Sequence, residues 1–220
     1  FESGKLLRLF KSFNMEYKFT KNPVKDYYSV IYFDVVKDLE IDFEEYFVLQ
    51  IMLKFSKSNT IKLEKLRMSK VLCISRNSID KALIGLISKG HIKKVEPQGK
   101  YYYITADVSE RFKIGGQFVK IYHEHRKLLN LSPKQYALLY MIYSLSKKYN
   151  SRTAIASKKK YCSLLNISES HYDTTKGKFK EAKLIEPQKN HLLKLNKDIF
   201  NWFKERSAQK KEEMFKDSIL

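Results

Sequence analysis

The sequence predicts a mainly helical α+β fold in which one small unit is built twice. Three observations carry this. First, the 220 residues contain an internal repeat: residues 31–59 align with 121–150 at a shift of 90, so that Ile31-Tyr32 meets Ile121-Tyr122, Leu39 meets Leu129, Tyr46 meets Tyr136 and Leu49 meets Leu139. Further on, Ile74-Ser75 matches Ile167-Ser168 and Glu96-Pro97-Gln98 matches Glu186-Pro187-Gln188, with the shift drifting where loops differ in length. Second, the chain is 43% hydrophobic with only seven Gly and four Pro, too apolar for a disordered basic tail and too poor in turn residues for an all-β design. Third, each copy closes on a β-rich pair of segments around a short turn.

The elements follow in order. Each copy opens on a capped amphipathic helix, Asp42 before FEEYFVLQIMLKFS and Ser132 before PKQYALLYMIYSLS, the second with Pro133 at the first helical position, where its missing N–H costs nothing. Apolar residues at 46, 49, 51 and 53, and at 136, 139, 140 and 143, form the stripe of a core-facing helix. A short helix comes next, Leu63 to Leu72 in one copy and Lys158 to Leu165 in the other. A turn leads into a second capped helix, starting at Ser75 (SRNSIDKALIGLISKG) or Ser168 (SESHYDTTKGKFKEAK), with Gly90 placed to end the first in a left-handed conformation. Strand–turn–strand signals complete each copy: HIKKVEPQGKYYYIT around Pro97 to Lys100, and LIEPQKNHLLKLN around Gln188 to Asn190. A helix, a helix–turn–helix and a hairpin in that order make a winged helix–turn–helix. The expected layout is therefore an N-terminal basic amphipathic arm at 1–23, one winged-helix domain at 24–112, a linker at 113–118 holding Gly115-Gly116, a second domain at 119–203 and a helical tail at 204–220.

These segments resemble the winged-helix modules of plasmid and phage replication proteins. In copy two the likeness runs through Leu131-Ser132, Lys134, Leu139-Tyr140, Leu145-Ser146, Leu164-Leu165, Ile167-Ser168 and the apolar slot at Tyr172. Copy one matches through Leu72, Ile74-Ser75, Ser78-Ile79, Leu83 and Leu86-Ile87, and departs at Asp42 and Tyr46-Phe47. Two such modules in one chain are similar to iteron-type plasmid replication initiators. The resemblance implies origin recognition by paired winged helices, with double-stranded DNA as partner and autorepression of transcription as a companion role.

The charge agrees with a polyanionic partner. There are 43 Lys and Arg against 24 Asp and Glu, a formal net charge of +19, although only seven of the cations are Arg and part of the lysine surplus reads as the bias of an AT-rich coding genome. Residues 1–112 hold 20 basic and 14 acidic side chains, 113–220 hold 23 and 10, so copy two is expected to supply more of the salt-dependent affinity. In a helix–turn–helix the start of the second helix faces base edges. Those positions are Arg76, Asn77, Ser78 and Lys81 in copy one, where Arg suits guanine and Asn adenine. In copy two they are Ser170, His171, Thr174, Thr175 and Lys178, beside Glu169, whose carboxylate suits cytosine N4 and repels phosphate. Phosphate and wing contacts are expected from Lys100, Lys147, Lys148, Arg152, Lys158, Lys159, Lys160, Lys189 and His191.

Other classes find little support in the residues. No Gly-rich phosphate loop, His-x-x-x-His pair or nucleophile motif is present, so the sequence predicts no enzyme, no cofactor and no metal. His123-Glu124-His125 falls between helices of copy two, where surface exposure is the expectation, and Tyr101 to Tyr103 read as wing-strand packing. Cys73 and Cys162 are too few for a disulfide scaffold and read as small core-facing hydrophobes in a reducing, cytoplasmic, DNA-associated setting. No run approaches the ~18 apolar residues of a membrane span, so no membrane partner is predicted. The chain opens on Phe1 rather than Met, which reads as the interior of a longer or processed chain. Residues 5–15 and 197–217 read as terminal helices for packing or pairing, with Trp202 against the neighbouring domain, and a homodimer or a helicase loader or primase are the protein partners to expect. The rival readings are a winged-helix transcriptional regulator and a non-catalytic docking scaffold, which would show exposed apolar groups on the second helix.

Overall fold

The computed structural model describes residues 27–55, 60–62, 65–95, 101–104, 116–148, 151–186, 188 and 192–217. The first half runs β1 (Tyr28–Tyr32), α1 (Phe33–Asp38), α2 (Phe43–Phe55), β2 (Thr60–Lys62), α3 (Lys65–Leu72), α4 (Arg76–Ser88), β3 (Ile92–Val95) and β4 (Tyr101–Ile104). The second half repeats that order as β5 (Phe118–Tyr122), α5 (His123–Leu128), α6 (Pro133–Lys148), β6 (Thr153–Ala154), α7 (Lys158–Leu165), α8 (Glu169–Glu181), β7 (Ile185–Glu186) and β8 (Leu193–Leu195), and then adds α9 (Lys197–Asp217). The chain is mainly helical with small antiparallel sheets, in the orders β2-β4-β3 and β6-β8-β7, plus the pair β1-β5. The arm at 1–23 and residues 113–115 of the expected linker lie outside the described residues. Helix α9 crosses the expected boundary at 203/204 without a break.

Local chemistry sets these elements. Helices α2 and α6 open on reciprocal capping boxes. The Glu45 N–H donates to Asp42 Oδ1 at 2.7 Å while the Asp42 N–H donates to Glu45 Oε2 at 2.7 Å; the Gln135 N–H donates to Ser132 Oγ at 3.3 Å and the Ser132 N–H to Gln135 Oε1 at 3.0 Å. Ser75 and Ser168 cap α4 and α8 by accepting from the Ser78 and His171 N–H groups. Among the described residues six have left-handed backbone, and they fall into three repeat pairs: Glu40 with Asn130 (φ 52° and 51°), Cys73 with Asn166 (49° and 48°) and Gly90 with Lys183 (73° and 53°). The repeat is thus written into the backbone at each helix end.

The halves are joined about a local two-fold. In the β1-β5 pair Val30 faces Lys120, its own mate at the shift of 90, while Ser29 faces Ile121 and Ile31 faces Val119, an exchange of mates across the axis. Buried Ile31, Tyr46, Phe47, Leu49 and Met52 form one continuous core with Ile121, Tyr136, Ala137, Leu139 and Ile142.

The structure corrects one expectation about the interior. His123 and His125 are buried in α5, at 0% and 3% exposure, and not on a surface linker. Ser29 Oγ lies 2.9 Å from His123 Nε2, His125 Nδ1 lies 2.7 Å from the Tyr136 hydroxyl, and the His125 ring stacks on Trp202 with centroids 3.5 Å apart. Trp202 thus packs on β5 and α5 of the second half. Cys73 and Cys162 are half-buried and unbridged.

Candidate nucleic-acid interface

Helix α4 buries Ile79, Ala82, Leu83 and Leu86, and this phase turns Asn77, Lys81, Ile84 and Ser88 outward. Helix α8 buries Tyr172, Thr175 and Phe179, which turns Ser170, Thr174, Gly177 and Glu181 outward. The two faces are matched in backbone and different in chemistry. Arg76, Asn77 and Lys81 are exposed, and the first turn of α4 holds no acid. Ser78 is half-buried with its hydroxyl 2.9 Å from Ser75 Oγ, which ties it to the cap. Lys65 neutralises Asp80 at 2.5 Å.

On α8, Ser170, His171, Thr174 and Lys178 are exposed, with Thr174 Oγ1 donating to the Ser170 carbonyl at 2.9 Å. Thr175 is a correction: it is 1% exposed, because the turn set by Tyr172 and Phe179 carries it into the core, and it cannot reach a base edge. Lys158 is spoken for as well, lying 2.6 Å from Asp173 and 3.0 Å from Glu169; hydrogen bonds to those two carboxylates hold its pKa above the usual lysine value. Lys159 and Lys160, beside it at the start of α7, are exposed, as are Lys147 and Lys148 at the end of α6. Arg152 pairs with Glu186 and donates to the Leu195 carbonyl at 3.2 Å, bracing the small sheet. Glu186 also accepts from Lys194 at 2.6 Å, and these cations hold its pKa below the usual carboxylate range, the Lys194 hydrogen bond most of all. Lys100, Lys189 and His191 lie outside the described residues.

The sequence reading missed two features of this surface. Lys180 and Lys183 extend the cationic edge of α8, as the helical phase from Tyr172 would have shown. On α4, Ile84 is 67% exposed, with Leu66 of α3 55% exposed, so the first half carries apolar groups where polar ones were expected. Among the described residues no group of three or more His, Cys, Asp or Glu could hold a metal ion, and no helix is long and apolar enough to cross a membrane.

No protein-family model matches the sequence, and no curated protein does. Among solved structures, the mRNA-binding domain of elongation factor SelB from E. coli, in complex with SECIS RNA, is similar over 71% of this chain and 100% of that chain, at 11% identity and a TM-score of 0.23. A superposition at that score carries no argument about ligand or mechanism.

Proposed function

We propose that the chain is a sequence-specific double-stranded DNA-binding protein made of two tandem winged-helix modules. The observation that supports this best is the pair of capped second helices, α4 and α8, related by the local two-fold and turning Arg76, Asn77 and Lys81 and Ser170, Thr174 and Lys178 to the surface in a chain of net charge +19. A two-fold arrangement suits two successive major-groove segments on one face of a duplex, about 10 bp apart. Because Arg76, Asn77 and Lys81 differ from Ser170, Thr174 and Lys178, the two half-sites would differ in sequence. Replication initiation at a plasmid or phage origin, with autorepression, rests on the sequence resemblance and is the role to test first. Selection from a random duplex pool should enrich a bipartite site with unlike halves, and K159Q/K160Q should lower the salt slope of its binding by up to ~2. A pool that yields no bipartite motif, or a slope unmoved by the two substitutions, overturns the reading.

One observation favours a second reading. Exposed Ile84 and Leu66 suit a protein partner, so the first half would dock a replication or segregation factor while the second binds DNA. I84K separates the two, because it strengthens non-specific DNA binding if α4 enters a groove and leaves it unchanged if that face binds protein.

A further inference from the structure

The two-fold makes two α1-type helices face two α3-type helix ends, and the two junctions are not filled alike. At one, Arg126 of α5 is 7% exposed and reaches across to the end of α3. Its Nη2 donates to the Leu72 and Cys73 carbonyls at 3.1 and 2.9 Å, and its Nη1 donates to the Leu131 carbonyl at 3.1 Å. These are the carbonyls a helix end leaves without intrahelical donors, together with one from the turn after α5.

At the other junction the mate of Arg126 is Val36, which the shift of 90 identifies and the parallel turn bonds confirm: Ile41 N–H donates to the Val36 carbonyl, and Leu131 N–H to the Arg126 carbonyl, both at 3.1 Å. The mates of Leu72, Cys73 and Leu131 are Leu165, Asn166 and Ile41. Instead of a guanidinium there is a cavity of 590 Å³, and Val36, Ile41, Leu165 and Asn166 all line it. Asn166 holds the same left-handed backbone as Cys73, so both helices end with the same cap geometry.

The geometry points to this cavity as a guanidinium-binding site, taking an arginine side chain or a small guanidine against the Leu165, Asn166 and Ile41 carbonyls as Arg126 does across the axis. Its wall holds three acids, Asp34, Glu40 and Asp42, and three lysines, Lys37, Lys89 and Lys134, so selection rests on the carbonyl geometry and not on net charge. Of the lysines there, Lys89 is 2.7 Å from Glu45. Lys134 donates to the Asn166 carbonyl at a long 3.5 Å and is the cation a guest would displace. An ammonium reaches one such carbonyl well, whereas a planar guanidinium spans several, so the site prefers the latter. The inference does not depend on the DNA reading.

The test is an amide NMR titration of the whole chain with ethylguanidinium and, separately, ethylammonium. Saturable shifts confined to residues 40–42 and 163–167, with ethylguanidinium tighter by about tenfold, are expected. Equal responses, or shifts that never saturate, overturn the proposal. V36R should fill the cavity from within, raising the unfolding temperature and abolishing the shifts, while V36M does neither; probe binding by folded V36R as by the parent chain overturns it. Should V36R fail to fold, K134Q decides, because removing the competing cation tightens ethylguanidinium several-fold on this reading and leaves it unchanged otherwise. N-acetyl-arginine amide identifies the source: tighter binding than ethylguanidinium means a partner's side chain, and equal binding a free guanidine.

Discussion

Helices α4 and α8 occupy equivalent places, begin with the same serine cap and bury the same three positions, yet the surfaces they turn outward share almost nothing. The first offers Arg76, Asn77, Lys81 and Ile84. The second offers Ser170, Thr174, Gly177 and Glu181, with Glu169 and Asp173 drawing Lys158 out of play. The half with the larger net charge thus has the more neutral second helix. Its cations sit instead on α6, on the start of α7 and along the far edge of α8. What was kept between the copies is what folding needs, and what changed is what a partner would touch.

The same contrast holds inside the core, where it has the largest consequence. His123 and His125 stand where the first half has Phe33 and Val35, and burial pulls both imidazole pKa values down to about 3. In the unfolded chain each titrates near 6.5, so between pH 6.5 and 3 the unfolded state binds more protons and stability falls as pH drops. Above pH 6.5 that stability is fully present. From 6.5 to 4.5 the two groups together would cost about 5 kcal/mol at most, at 1.36 kcal/mol per unit for each. Unfolding temperature measured from pH 7.5 to 4.5 should decline well above the carboxylate range, and H123F/H125V, which imports the residues of the first half, should flatten the curve. A parent curve flat down to pH 5 would break the comparison.

A smaller effect separates the outward faces. R76A/N77A removes two base-edge candidates, each worth roughly 1–3 kcal/mol as a good pair, and should weaken a selected site by at least about 30-fold, with little change on random duplex. E169Q works in the opposite sense. It takes away a phosphate-repelling charge and loosens Lys158, so affinity for random duplex should rise a few-fold, measured by anisotropy at low salt. If E169Q and R76A/N77A act alike on cognate and random DNA, the two faces are not the readers proposed.

The repeat, the four helix caps and the order from the long helix to the closing strands were legible because caps and apolar periodicity are local signals, whereas the short elements β1, α1, β2, β5, α5 and β6 were not foreseen. Thr175 was misread although the signal existed: its mate is Ala82, an apolar residue on the buried side of α4. His123 and His125 carried no such signal. Helix α5 spans six residues, too few for a period to show, and imidazole is as much at home in a core as on a surface. Arg126 was invisible for another reason, because its acceptors at Leu72 and Cys73 lie more than fifty residues away across the two-fold. The pairing of β1 with β5 and the packing of α2 on α6 bring them together.

The smallest effect tests whether the backbone repeat is as strict as the dihedral angles suggest. Gly90 and Lys183 both stand one residue past the cap of their helix with positive φ, 73° and 53°. Gly adopts that conformation freely, whereas a residue with a Cβ pays about 1–2 kcal/mol for it. Lys183 is exposed, so its side chain gives little back through packing. K183G should therefore stabilise the chain by about 1 kcal/mol, somewhat less than the strain because glycine also gains freedom in the unfolded state. G90K should destabilise it by a similar amount, since a Cβ at position 90 meets nothing within 4 Å and only the backbone angle opposes it. Opposite signs of like size in urea unfolding would show that the two helix ends are the same device built with different residues. If K183G instead destabilises, Lys183 holds its helix end through a contact that Gly90 does not need, and the equivalence stops at the dihedral angle.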